Sequence, residues 1–273
     1  MKGRLWRNIG VGAIAFGVGA IAFAESAGAQ SQIVPDETLG AERSRVTPET
    51  IRGVESDRIT GGASREANLF HSFTQFDIGE GRGAYFENPA GIQNIFSRIT
   101  GNDISDINGT LGVLGSANLF LMNPNGIVFG QNARLDLGGS FVGTTANAIG
   151  FGDGGIFSAS MPDVPGQVLN VNPSALLFNQ MGNGAIASQA KELASASGQS
   201  LLFAGGDVSL DASLLFSLGG RVELSRVAGI GTIPIISSGN ALQLGFVSGG
   251  SLADIALQNN SFISTPAGGS IVI

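Results

Sequence analysis

One small device recurs through the chain and limits what it can fold into: a short apolar run, a glycine pair, and a second short run. Arg134 to Leu137 alternates polar and apolar residues, meets Gly138-Gly139, and Ser140 to Val142 resumes. Leu201 to Ala204 meets Gly205-Gly206, after which Val208 and Leu210 alternate with Ser209 and Asp211. Gly219-Gly220 leads into Arg221 to Leu224, Val247-Ser248 precedes Gly249-Gly250, and Gly268-Gly269 precedes Ile271 to Ile273. Runs this short with period-two alternation are strands, and glycine pairs suit corners because they take positive φ without steric cost. Helical periodicity is sparse; the best stretch, Ser188 to Ser197, is short and has little apolar face. From Gly206 onward the second glycines of these pairs are Gly206, Gly220, Gly250 and Gly269, at uneven intervals. Such a loose period predicts an all-β solenoid with variable corners, a parallel β-helix of roughly ten coils at ~20–25 residues each. A β-sandwich or barrel is the competing all-β reading.

Residues 1–29 stand apart. Lys2, Arg4 and Arg7 precede the apolar run Ile9 to Phe23, and Ala27-Gly28-Ala29 follows. That order is a secretory signal, with cleavage expected after Ala29 and Ala24 as the alternative. The apolar run is shorter than the ~20 residues that span a bilayer. Residues 30–60 mix Arg43, Arg45, Arg52 and Arg58 with acidic residues and read as an N-terminal cap on a solenoid occupying 61–273. The closing Gly268 to Ile273 has no polar ending, which predicts an exposed edge and a body truncated at that point.

Composition removes several chemistries. There is no cysteine, so disulfides, thiol nucleophiles and Cys-ligated zinc are excluded. His71 is the single histidine; it is expected as a packed or surface ring, and neither a His-based metal site nor a triad can be built. A net charge of −7 argues against a nucleic-acid partner. Paired carboxylates would suit glycan chemistry. Asp103 and Asp106 have the wrong parity for one strand face, and Asp207 and Asp211 share a face only if strand runs through both. Asp136, Asp153 and Glu223 stand alone, and Gly150 to Gly155 reads as a hairpin turn. No enzyme and no cofactor are expected, with a secreted carbohydrate-binding or carbohydrate-active β-helix kept as the alternative.

The densest motifs lie between Asn68 and Gly155. Asn123-Pro124-Asn125-Gly126-Ile127 reads as a rigid corner: proline fixes φ, Asn123 can accept a hydrogen bond from two residues on, and Gly126 tolerates positive φ. Together with Asn68 to Phe73, Gly91 to Gly101 and Leu135 to Phe141, this pentapeptide closely resembles the N-terminal secretion domain of filamentous-haemagglutinin-like exoproteins of two-partner secretion. Where that family has a second tetrapeptide, Asn-Pro-Asn-Leu, this chain has Asn88-Pro89-Ala90-Gly91, keeping the Asn-Pro corner alone. The resemblance implies a right-handed parallel β-helix and export through the periplasm to the medium or cell surface. It also implies recognition by the POTRA domains of a cognate outer-membrane β-barrel transporter, with adhesion to a host or surface glycan or protein receptor. Asn123, Pro124, Asn125, Gly126, Ile127, Asn88, Pro89 and Gly91 are the residues expected to carry transporter recognition or folding.

Overall fold

The computed structural model describes residues 30–238, 241–249 and 254–273. The expected secretory signal, residues 1–29, and the expected corner at Gly250 lie outside the described residues.

The chain is a parallel β-helix. Its long sheet stacks seven strands in parallel: Asn68–Asp77, Asn94–Ile99, Asn118–Met122, Phe141–Thr144, Ser200–Gly205, Arg221–Arg226 and Ser270–Val272. A second sheet holds Ser105–Ile107, Gly126–Phe129, Ala185–Ser188, Val208–Asp211 and Ile255–Gln258. The third wall changes partway. Val54–Gly61, Gly83–Glu87, Thr110–Leu114 and Arg134–Asp136 form it first, and Leu193–Ala194, Leu214–Phe216 and Phe262–Ser264 form it later.

Register along the long sheet shows both the coil length and its interruptions. Leu69, Ile95, Leu119, Phe141, Leu201, Val222 and Ile271 align in turn. Most successive members are one coil apart, close to the ~20–25 residues expected of a plain solenoid turn. The intervals from Phe141 to Leu201 and from Val222 to Ile271 are about twice as long or more, because each adds an excursion to the strands of one coil. Among the described residues seven parallel strands are present where coil arithmetic predicts about ten, because the excursions leave the solenoid. They build a separate antiparallel sheet from Ala148–Gly150, Ile156–Ser158, Ala175–Phe178, Gly231–Ser238 and Ala241–Leu244. Gly150 to Gly155 is the expected hairpin turn, closed by Phe151 N–H to Gly155 O at 2.9 Å.

That extra sheet explains why Leu119-Phe120-Leu121-Met122 is unbrokenly apolar. Leu119 and Leu121 point into the bore, with Ile95, Phe203 and Leu224. Phe120 and Met122 point outward, into a second core with Phe96, Ile149, Leu176 and Ile233 beneath the antiparallel sheet. A strand covered on both faces has no polar side to show. Ring stacking continues this outer row from coil to coil: Phe70 to Phe96 at 5.1 Å and Phe96 to Phe120 at 4.6 Å.

Ahead of the first coil, Gln32–Pro35 runs antiparallel to Asn68–Asp77, and Ser44–Ile51 forms a hairpin with Val54–Gly61. Val54–Gly61 then pairs in parallel with Gly83–Glu87. Ser188 to Ser197 holds the end of one strand and the short Leu193–Ala194, with no helix.

The corner glycines are needed for a different reason from the one the sequence suggests. Gly139, Gly206 and Gly220 do not have positive φ. A Cβ on Gly220 would instead collide with Gln199 O, and on Gly139 or Gly206 it would stand 2.5 Å from Ala117 O or Asn183 O. The obstacle is the backbone of the preceding coil, so these positions are glycine because the corners stack closely.

Candidate recognition corner

The pentapeptide 123–127 makes the turn from the long sheet, after Asn118–Met122, into the second sheet at Gly126–Phe129. Asn123 is buried, and its side chain organises the corner. Its Oδ1 accepts from Asn125 N–H at 3.0 Å, the two-residue contact expected from the sequence, and from Asn125 Nδ2 at 3.0 Å. Its Nδ2 donates backward one coil, to Asp103 O at 3.0 Å and Ser105 Oγ at 3.1 Å. Asn125 is exposed at its surface, yet its Nδ2 also donates to Gly101 O at 2.8 Å.

The next coil fits against the same corner. Pro124 O accepts from Gly184 N–H at 3.1 Å, and Gly126 pairs with Ala185. Gly126 has φ +137°, a value L side chains rarely adopt, and Ala185 O lies 3.1 Å from where its Cβ would stand. Ile127 is buried in the bore. The corner is thus sandwiched between residues 101–105 below and 184–185 above.

Asn88, Pro89 and Gly91 lie elsewhere. They form the turn into the long sheet, between Gly83–Glu87 and Asn94–Ile99, so a strand length separates them from 123–127. Asn88 works alike: Oδ1 accepts from Ala117 N–H of the following coil at 3.0 Å, and Nδ2 donates to Ile92 O at 3.0 Å. Gly91 has φ +87° with open space around it. The fold makes two Asn-Pro corners of similar construction and does not bring them together.

The carboxylates are scattered. Asp207 lies just before Val208–Asp211 and Asp211 at its end, each bonded separately: Asp207 to Asp254 N–H at 3.1 Å, Asp211 to Asn259 Nδ2 at 2.5 Å. Asp136 pairs with Arg52 and accepts from Tyr85 at 3.0 Å; buried Glu223 pairs with Arg221 at 2.6 Å. Burial, followed by repulsion from Asp77, raises the carboxyl pKa of Asp106. Among the described residues no group of three or more acidic or histidine side chains is placed to hold a metal.

Two features escaped the sequence reading. Asn68, Asn94 and Asn118 form a ladder: Asn94 Nδ2 donates to Asn68 Oδ1 at 3.1 Å and Asn118 Nδ2 to Asn94 Oδ1 at 2.9 Å. Its signal was available, since Asn-Leu-Phe, Asn-Ile-Phe and Asn-Leu-Phe begin at 68, 94 and 118. The second is buried Arg98, which lies over the Phe157 ring at 4.4 Å and donates to Ser72 Oγ, Thr38 Oγ1, Ser158 O and Asp163 O. Burial lowers its pKa to about 10, against the field of Asp36 and Asp163. Nearby Asp36 would be raised by burial, but bonds from Thr100, Thr38 and Ser72 outweigh that and hold its carboxyl low.

Known proteins place this architecture. Residues 31–272 match the family described as the TPS secretion domain. A 98-residue stretch is 33% identical to the heme/hemopexin-binding protein of Haemophilus influenzae, covering 34% of this chain and 10% of that protein. The crystal structure of the HMW1 secretion domain from Haemophilus influenzae superposes with TM-score 0.51 at 17% identity, over 89% of this chain and 64% of that one. The filamentous hemagglutinin secretion domain gives TM-score 0.38 at 12% identity, over 88% and 96% of the two chains. The chain therefore spans about a tenth of the curated relative and under two thirds of the first structure.

Proposed function

This chain belongs to the family of TPS secretion domains, and from that premise we propose that it is the targeting domain of an exoprotein, read by its transporter before it folds. Members of this family are secreted across the outer membrane with a cognate transporter as partner. The periplasmic POTRA domains of that transporter take up the extended chain by β-augmentation, a mode that needs backbone more than side chains. The chain then folds outside as the β-helix, residues 30–60 cap its first coil, and the exoprotein serves adhesion.

The corner at 123–127 carries the reading. Both of its asparagine side chains are committed to neighbouring backbone once the coils close. In the extended chain those amides are free, so a transporter contact there must precede coil closure. Closure at this corner then removes the recognised segment and makes passage one-way.

The test is release to the medium of the double substitution Asn125→Ala, Gly126→Ala, beside Gly220→Ala as a folding lesion away from the corner. The expected result is mature double variant retained in the cell while Gly220→Ala still reaches the medium. Release of the double variant at the wild-type level overturns the proposal.

A further inference from the structure

His71 points into the bore of the solenoid. On Asn68–Asp77, Leu69 and Phe73 belong to the bore core and Phe70 to the outer core, so strand alternation puts His71 on the bore side. The ring is fully buried, 5.2 Å from the Phe86 ring and 6.2 Å from that of Phe73. Nδ1 lies 3.0 Å from Ser44 Oγ on the N-terminal hairpin, and Ser44 Oγ also accepts from Ser72 N–H at 3.2 Å. The backbone of Gly62 closes the ring's edge, since a Cβ there would stand 2.9 Å from Cε1. Among the described residues Nε2 has no hydrogen-bond partner, and neither has Ser97 Oγ, which is in register with His71 on the next coil.

Among the described residues, the charged groups on the strands around the ring have partners elsewhere or lie exposed. On Val54–Gly61, Asp57 shares the bore parity of Ile59 and lies 4.0 Å from Arg82, which also pairs with Glu55. Arg45 on Ser44–Ile51 is exposed, Arg58 on Val54–Gly61 pairs with Glu49 and Glu87, and Arg65 on Ala63–Arg65 pairs with Glu42. Tyr85 on Gly83–Glu87 bonds Asp136, Arg98 on Asn94–Ile99 bonds Ser72 and the 158–163 segment, and Asp36 beside Gln32–Pro35 bonds Thr38, Ser72 and Thr100. Asp77, on the strand of His71 itself, is bonded by Gln75 and by Asp106 N–H. Among the described residues no carboxylate bonds the ring, and a cation formed on it would be shut away from solvent.

We propose that His71 is an acid-operated latch on the first coil: the hairpin strand Ser44–Ile51 closes onto Asn68–Asp77 only around a neutral imidazole, and acidification releases it. Burial alone drives the ring pKa down to about 3, against ~6.5 in an unfolded chain. The group is depressed in the fold, so its contribution is complete above ~pH 6.5 and is lost as pH falls toward 3. Within that window each pH unit lowers the folding equilibrium constant by about tenfold. The latch concerns this chain alone and stands whether or not the export reading holds.

Because His71 is the single histidine, its ring resonances are unambiguous. The experiment follows them in the folded chain from pH 7 to 4, and measures urea unfolding over the same range for wild type, His71→Gln and His71→Phe. The expected result is a ring that stays neutral in the folded population. The wild-type folding constant should also fall about tenfold per pH unit more steeply than in either variant. A ring titrating near pH 6.5 within the fold, or equal pH slopes in wild type and variants, overturns the latch. Should neither replacement fold, the ring titration decides alone.

Discussion

Replacing Asn123 by alanine separates a corner that merely turns from one that holds coils together. The wild-type side chain makes four hydrogen bonds, two donated to Asp103 O and Ser105 Oγ and two accepted from Asn125. Each is worth about 0.5–1.5 kcal/mol net, with more lost where a buried partner is left unpaired. Ser105 is fully buried, so water cannot replace its lost donor; Asn125 is exposed, so water there can. The expected loss is about 3 kcal/mol. Asn125→Ala gives up the Nδ2 bonds to Gly101 O and Asn123 Oδ1 and a long one to Asp103 O at 3.4 Å. It does so from an exposed position where water can replace them, and should cost about 1 kcal/mol. The assay is reversible urea unfolding followed by far-UV circular dichroism, with the slope against urea unchanged. A loss at Asn123 below about 1 kcal/mol, or equal losses at the two sites, would refute the coil-bridging argument.

Gly220→Ala should cost about 2 kcal/mol by forcing apart stacked corners, more than Gly91→Ala, where positive φ in open space costs about 1 kcal/mol; thermal melts in the reverse order would reinstate conformation as the reason. Hydrogen bonds hold the Asp36 carboxyl low in the fold, so its contribution is present above the unfolded carboxylate pKa of ~3.9 and lost as pH falls through the folded value. Asp36→Asn should remove that component, and an unchanged acid limb in pH-dependent unfolding would count against it.

The coil was legible because its corners are punctuated by glycine and asparagine and its bore strands alternate. The turn chemistry of 123–127 was legible too, down to the Asn125 N–H on Asn123, since that bond depends on local geometry alone. What sequence could not deliver depends on partners far along the chain. Gly139 and Gly220 looked like residues chosen for φ, and only the stacked backbone of Ala117 and Gln199 reveals crowding. The segment between Thr144 and Ser200 read as more coil, yet Ala148–Gly150 and Ala175–Phe178 pair antiparallel over the long sheet. Short apolar runs carry no mark of which sheet they will join. Arg98 drew no notice, because a lone arginine among apolar residues gives no sign of the carbonyls that will surround it.

Transporter dependence tests the central claim most directly. In the native host, genes for outer-membrane transporters bearing POTRA domains are deleted one at a time, and the chain is quantified in medium and cell fractions. The account predicts that one deletion abolishes release and leaves chain without residues 1–29 inside the cell, restored by supplying that transporter alone. Normal release from every deletion strain would contradict it.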